Sequence, residues 1–361
     1  MTVPVRWSIH WLLVAAPVAA ALDRAGAGAP LVFFCAALAI VPLATLIVHS
    51  TEHLAARTGP AVGGLLNATF GNLPELIIAM VALRAGLLDM VRASLIGAML
   101  ANLLLALGLA FLLGGLRHHV QEYNPAAART YATMMMLAAL SMVVPSGFHR
   151  LLGVAAPRHA QGLDTGVAIV LLAAYVLYLV FMLRTHPDFF AVTKDAETHD
   201  HAPWSLGRAV GTLLLASLGA AWMSEILVGA AEATGHALGM SPLFIGIVLL
   251  AVIGGAAESG AAVAMGRKNQ MDLAVGIAMG SSLQIALFVT PVMVLASGLV
   301  APERLTLGFS RIEIGALFLS VLIGGHVAGD GRSNWYKGVQ LVAFYLILAT
   351  MFYLIPPESA P

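Results

Sequence analysis

Charge is what this chain has least of. Only 10% of its 361 residues are Asp, Glu, Lys or Arg, and 60% are hydrophobic, whereas a typical soluble domain carries roughly 25% charged residues. The shortfall excludes an ordinary water-exposed surface and points to a polytopic membrane protein. Acidic and basic residues balance at 18 each. No basic tract interrupts the apolar runs, so nucleic acid is excluded as a partner. The single cysteine, Cys35, excludes an intramolecular disulfide and, lying in an apolar run, reads as a small core residue. No glycine-rich phosphate loop is present, which removes support for ATP as a driving force. Polar stretches are equally scarce. Arg184 to Pro203, with Asp188, Lys194, Asp195, Glu197, His199, Asp200 and His201, is the one stretch long enough to link two halves. It reads as a solvated loop, with a regulatory cation site as the alternative.

About 20 apolar residues are needed per membrane span, and eleven stretches qualify: roughly 8–22, 30–50, 61–84, 93–115, 128–145, 163–183, 206–232, 241–265, 272–299, 311–327 and 337–356. The first, preceded by Arg6, resembles a signal peptide but lacks a clean small-residue cleavage site, so it reads as a retained helix. The expected fold is an all-α polytopic membrane protein of about 11 transmembrane helices. One peripheral N-terminal helix (1–25) precedes a five-helix repeat (30–184), a polar linker (185–205) and a second five-helix repeat (206–356). Five helices repeated in tandem must enter the membrane from opposite sides, so the repeats are inverted. Eleven Lys and Arg fall on one side and seven on the other, which favours a cytoplasmic N-terminus and an outside C-terminus. Short loops suit a prokaryotic plasma (inner) membrane. The lipid bilayer is the one partner that the composition demands, and a homo-oligomer is compatible with it.

The repeat is legible residue by residue. Gly71 and Gly254, Glu75 and Glu258, Arg84 and Arg267, Asp89 and Asp272, and Gly97 and Gly280 are each 183 positions apart, with no gap between them. Gly71-Asn72-Leu73-Pro74-Glu75 and Gly254-Gly255-Ala256-Ala257-Glu258 each set a carboxylate inside an apolar segment. A charge at the centre of a bilayer helix costs about 2.5–3.5 kcal/mol even on lenient scales, so such a residue is by default functional.

Pro74 lacks an amide hydrogen and Gly71 a side chain, so the helix is expected to break there and turn carbonyls inward. Carbonyls beside a carboxylate make an oxygen-only site, suited to a hard cation such as Ca²⁺. Asn72 shares a helix face with Glu75 and can add a ligand. Ser281 and Gln284 share a face in the second half, where the first half has Ala98 and Ala101; they read either as ligands or as interhelical hydrogen-bonding residues. Two carboxylates meeting at the midplane cannot both stay ionised without a cation, because burial and mutual repulsion both disfavour that state. Ca²⁺ and H⁺ would then occupy the pair by turns, as an antiporter requires. No catalytic residues and no cofactor are expected; both ions are cargo. A rival of another class rests on His49-Ser50-Thr51-Glu52-His53, which fits the inverted zinc-protease pattern His-x-x-Glu-His. No third protein ligand is evident for it. Glu52 and Glu225 are candidates for equivalent mouths of the two halves.

Thr51-Glu52-His53-Leu54-Ala55-Ala56-Arg57-Thr58-Gly59, Gly63-Gly64-Leu65-Leu66-Asn67-Ala68-Thr69-Phe70-Gly71-Asn72, Met271-Asp272-Leu273-Ala274 and Gly280-Ser281-Ser282-Leu283-Gln284-Ile285-Ala286-Leu287-Phe288-Val289 resemble the cation/proton exchanger (CAX) family of Ca²⁺/H⁺ antiporters. The resemblance covers nearly the whole chain. It implies an eleven-helix fold with helix one peripheral, and Ca²⁺ held between the two Glu-bearing repeats, with access alternating as a helix bundle slides. It also implies that Glu75 and Glu258 carry ion and proton, assisted by Asn72, Ser281, Gln284 and carbonyls near Gly71 and Gly254. The chain departs from the family where Gly255 stands for Asn, Ser259 for His, and Ala98 and Ala101 for frequent serines. A Na⁺/Ca²⁺ exchanger of the same superfamily is the nearest rival.

Overall fold

The computed structural model describes residues 9–58, 60–152, 157–186 and 204–356. Nearly all of them are helical. A short 3₁₀ turn, Ile9–Val14, leads into α1 (Ala15–Arg24) and α2 (Ala29–Thr58). A broken pair follows, α3 (Pro60–Phe70) and α4 (Leu73–Arg84), then α5 (Leu88–His118). Next come α6 (Pro125–Leu152) and α7 (Pro157–Thr185). The second half repeats the plan with α8 (Leu206–Leu238), the broken pair α9 (Pro242–Gly254) and α10 (Ala256–Arg267), and α11 (Met271–Val300). It ends with α12 (Arg311–Ala328) and α13 (Trp335–Tyr353). Among the described residues, eight helices are long and apolar enough to cross a membrane, and the pair α9–α10, bent by 57°, makes a ninth. Each of the eleven predicted stretches falls on a helix or a broken pair, though Ile9–Arg24 and α3–α4 do not pass as spans by themselves. Most of the polar linker, residues 187–203, lies outside the described residues, as does Arg6.

The 183-residue offset extends from side chains to backbone. Leu73–Arg84 recurs as Ala256–Arg267, and the π-helical stretch Ala101–Ala106 inside α5 has a counterpart at Ile285–Val289 inside α11. The two short helices leave the middle of the protein in opposite directions. Past Arg84 the chain turns at Gly86 beside Pro302, where a Cβ on the glycine would lie 3.5 Å from the proline ring. The α10 end meets the opposite face, where the Gly266 carbonyl accepts from Gln121 Nε2 at 2.8 Å.

Two small features mark those faces. On one, β1 (Val120–Glu122) pairs antiparallel with β2 (Arg332–Asn334), with Gln121 opposite Ser333; this is the sheet face. On the other, residues 301–310 run as an extended strap in which Leu305, Leu307 and Phe309 alternate into the core. Among the described residues no strand lies beside the strap, so side chains satisfy its backbone. Leu305 N donates to Ser297 Oγ (2.9 Å), Leu307 N to Asp164 Oδ1 (3.3 Å) and Phe309 N to Ser146 Oγ (3.1 Å). Buried amides require such partners. Asp164 is itself held by His149 Nε2 at 2.7 Å.

Two apolar clusters divide the helices. One gathers α1, α2 and α8 around Phe33, Ile40, Ile47, Met223 and Leu227; the other gathers α5, α6, α7 and α11 to α13 around Met99, Leu104, Phe111 and Leu283. The broken pairs run between them, so neighbours split: Ile78 and Leu250 belong to the first cluster, Ala79 and Ala251 to the second. Where α5 crosses α9 the backbones touch. A Cβ on Gly97 would collide with the Ile247 backbone, and one on Gly246 would stand 2.5 Å from Ala93 Cβ. Small residues permit this approach, as in other membrane helix pairs.

Candidate functional site

The break predicted at Gly71 and Pro74 is present, and the second repeat has one as well. After Phe70 the chain makes a turn at Gly71 and Asn72 before α4 begins, with Pro74 at its second position, where a missing amide costs nothing. After Gly254 the chain bends at Gly255 before α10. The breaks create two helix N-termini in the middle of the protein, and each places its glutamate at the third position. Unpaired amides and the helix dipole there favour a negative charge.

The two carboxylates come from opposite halves of the chain to one place. Glu75 is 7% exposed and Glu258 5%. A Cβ on Gly254 would lie 3.1 Å from Glu75 Cγ, so the first-half glutamate packs directly on the second-half break. None of the four carboxylate oxygens has a hydrogen-bond partner, and neither does Asn72 Oδ1 or Asn102 Oδ1. Six buried oxygens without donors around a doubly acidic centre match what a hard divalent cation takes, about 6–8 oxygens. Protons on the carboxylates would answer the same deficit.

The assisting residues divide. Asn72 Nδ2 donates to Gln284 Oε1 across the repeat interface, so Gln284 turns the amide of Asn72 and leaves Asn72 Oδ1 free of donors. Ser281 is 8% exposed and lines a cavity of about 280 Å³ together with Gly71, Asn67, Glu258 and Gln284. Glu52 and Asp272 line it as well, with Tyr123 and Asn124, which adjoin β1. The cavity therefore reaches from the sheet face to Glu258. On the far side of Glu75 only about 10 Å³ remains, ringed by Ile78, Leu95, Leu250 and Ile285.

Asn102 is the site residue that motif reading misses. It is 1% exposed, and its Oδ1 would lie 3.5 Å from a Cβ on Gly255. The missing amide at Gly255 is thus matched by an amide reaching in from α5. Its signal is present, as the one polar side chain in the run Leu100 to Ala106, but the repeat singles out Ala98 and Ala101 instead by pairing them with Ser281 and Gln284.

The zinc-protease pattern does not assemble. His53 stacks on Trp204 at 4.5 Å between ring centroids, and Glu52 faces the sheet-side cavity. Among the described residues no three His, Cys, Asp or Glu come together to hold a metal ion. Glu225 lines a separate cavity of about 430 Å³ with Arg84 and Glu232, and that cavity, like the one beside Glu52, is lined by residues of both repeats.

The chain is similar to known proteins over nearly its whole length. The sequence pattern of the sodium/calcium exchanger protein family matches residues 28–184 and again residues 208–354. The Ca(2+)/H(+) antiporter of Synechocystis sp. is 40% identical over 361 residues, covering 96% of this chain and 96% of that protein. The Ca(2+)/H(+) antiporter ChaA of Bacillus subtilis is 40% identical over 319 residues, covering 88% of this chain and 90% of that protein. Among solved structures, native YfkE has a TM-score of 0.83 at 36% identity, covering 96% of this chain and 100% of that one.

Proposed function

Since the chain belongs to the sodium/calcium exchanger protein family and crosses a membrane many times, we infer that it is a secondary antiporter exchanging Ca²⁺ for H⁺, with Glu75 and Glu258 as the exchanging groups. The observation that carries this reading is the pair of buried carboxylates, one from each repeat, whose oxygens have no donors. In a low-dielectric interior two adjacent anions are strongly unfavourable, and either one divalent cation or added protons relieve them. Ca²⁺ and H⁺ therefore exclude one another at the same oxygens. The remaining ligands in this reading are Asn72 Oδ1 and Asn102 Oδ1, with Ser281, Gln284 and the carbonyls of Gly71 and Gly254 near the path.

Access is ordered. Glu258 lines the wide cavity and Glu75 lies beyond it, so an ion from the sheet face meets Glu258 first. The excess of Lys and Arg at the sheet-face ends favours the cytoplasm for that face, with the N-terminus inside and the C-terminus outside. The bacterial relatives support a plasma membrane.

Counter-transport in proteoliposomes tests the proposal. Ca²⁺, Mn²⁺, Mg²⁺ and Na⁺ are offered separately under an imposed pH difference, with Glu75→Gln and Glu258→Gln beside the unaltered chain. Each substitution is expected to lower proton-driven Ca²⁺ flux at least about 100-fold, equivalent to roughly 2.7 kcal/mol. Undiminished flux in either variant would sink the assignment. Ca²⁺ flux driven by Na⁺ alone would favour the Na⁺/Ca²⁺ reading, which the apolar Ala98, Ala101 and Gly255 disfavour by removing ligand oxygens.

A further inference from the structure

The narrow space beyond Glu75 and the wide cavity beneath Glu258 are the same feature built twice. Shifted by 183 positions, Glu75, Ile78, Ser94, Ala98 and Leu250 of the narrow space fall on Glu258, Ala261, Ile277, Ser281 and Asn67, and all five of these line the wide cavity. The packing around them differs in the same sense. Gly97 is pressed against Ile247 and Ala93 against Gly246, whereas Gly280 and Gly276, the counterparts of Gly97 and Ala93, meet only Tyr131, at 3.9 and 4.0 Å. One copy is closed and the other open.

The chemistry of the two copies is unequal. The open copy carries Asn67, Ser281 and Gln284 where the closed copy carries Leu250, Ala98 and Ala101. Leu250 is 2% exposed and packs into the cluster built on α2 and α8, so widening the closed copy must wet it. We propose that the narrow space is the collapsed path to the strap face, and that Leu250, standing where Asn67 stands on the open side, is its plug. Opening toward the sheet face hydrates amides and hydroxyls, while opening toward the strap face hydrates leucine and alanine. That inequality holds the unloaded carrier open to the sheet face. Leu250 acts as a positioning residue: it sets the balance between the two open states and touches no proton or ion.

The proposal rests on the two-sided exchange inferred above, yet its test needs no ion. The full chain carrying Cys35→Ala is reconstituted with either Ser94→Cys or Ile277→Cys, a pair 183 positions apart, and labelled from each side with a membrane-impermeant thiol reagent. With Leu250 in place, Ile277→Cys reacts rapidly from the sheet face and Ser94→Cys slowly from the strap face. Leu250→Asn places an amide in the dry closed contact, which the hydrated open state relieves. It is expected to raise the Ser94→Cys rate about tenfold or more and to lower the Ile277→Cys rate. Leu250→Met, still apolar, leaves both within about twofold. Leu250→Ser takes the place of Leu250→Asn if the latter fails to fold, as judged by loss of the monodisperse peak on size-exclusion chromatography in detergent. Strap-side labelling unmoved by either polar variant in folded protein overturns the plug, whatever the flux. Labelling that shifts as expected while proton-driven Ca²⁺ flux is absent overturns the ion assignment and leaves the plug standing.

Discussion

The carboxylate of Glu75 rests on the backbone of Gly255: a Cβ there would stand 3.7 Å from Glu75 Oε1 and 3.5 Å from Asn102 Oδ1. The space that a side chain at 255 would fill is thus shared by a glutamate and an asparagine from the other repeat. Removing the asparagine takes one neutral oxygen from the site. Asn102→Ala is expected to weaken Ca²⁺ about tenfold, roughly 1.4 kcal/mol. Gly255→Asn introduced into that variant should recover most of the loss, because the new amide enters the space Asn102 has left. Concentration dependence of Ca²⁺ uptake measures both, and simple additivity of two losses would count against a shared seat.

Gln284 supplies the acceptor for Asn72 Nδ2. Gln284→Ala strands that buried donor, a loss of about 1–3 kcal/mol, and lets the amide turn its Oδ1 away from the carboxylates. Ca²⁺ affinity should fall roughly tenfold. A double-mutant cycle with Asn72→Ala should give a coupling of about 1 kcal/mol or more; zero coupling would mean that the two residues act separately.

Asp164 ties the strap to the helices by accepting from Leu307 N and from His149 Nε2. Asp164→Ala leaves the buried Leu307 amide and the part-buried His149 ring without an acceptor, and an expected loss of about 1–3 kcal/mol should appear as a lowered unfolding midpoint in detergent. Asp164→Asn keeps an oxygen for the Leu307 amide and should lose less. Equal midpoints for the two variants would show that the strap amide does not depend on this carboxylate.

At the sheet face, the Asp330 carboxyl is held below its ordinary value of 3.8: slight burial opposes ionisation, but hydrogen bonds from Lys337 Nζ and the Arg332 amide outweigh it. A depressed folded-state value means stability that is fully present above about pH 4 and lost as pH falls through the lower, folded value. Asp330→Asn should therefore cost the same small amount, under about 1 kcal/mol for so exposed a pair, at pH 6 and at pH 8. The cost should vanish only in strong acid. Thermal unfolding at three pH values checks this, and a cost that changes between pH 6 and 8 would contradict it.

Much of the site is legible in the amino-acid sequence because its signals are exceptions to a monotonous background. In a chain this apolar, a glutamate preceded by a glycine or proline break stands out, and the constant offset of 183 makes the second copy confirm the first. The breaks at Gly71 and Gly255 fall where the missing side chains and the proline require them. What stays hidden depends on distance. The Asn72–Gln284 hydrogen bond joins residues 212 apart, and no local pattern encodes it. Asn102 is visible as a letter but not as a ligand, since its importance comes from the space above Gly255.

The amino-acid order by itself determined that this protein lies in a membrane, that it is built twice, and that each copy carries one carboxylate at a helix break. These follow from local costs: burying charge, breaking a helix, covering apolar length. Only the tertiary structure decided which equally apolar helices sit at the centre, α5 being 83% buried and α7 28%. It alone decided that the two copies differ, one open and one closed. Lipid and protein interior are alike to an apolar side chain, so hydropathy cannot tell a central helix from a peripheral one. Nor can a repeat written twice say which copy is open, because that depends on how the two pack against each other.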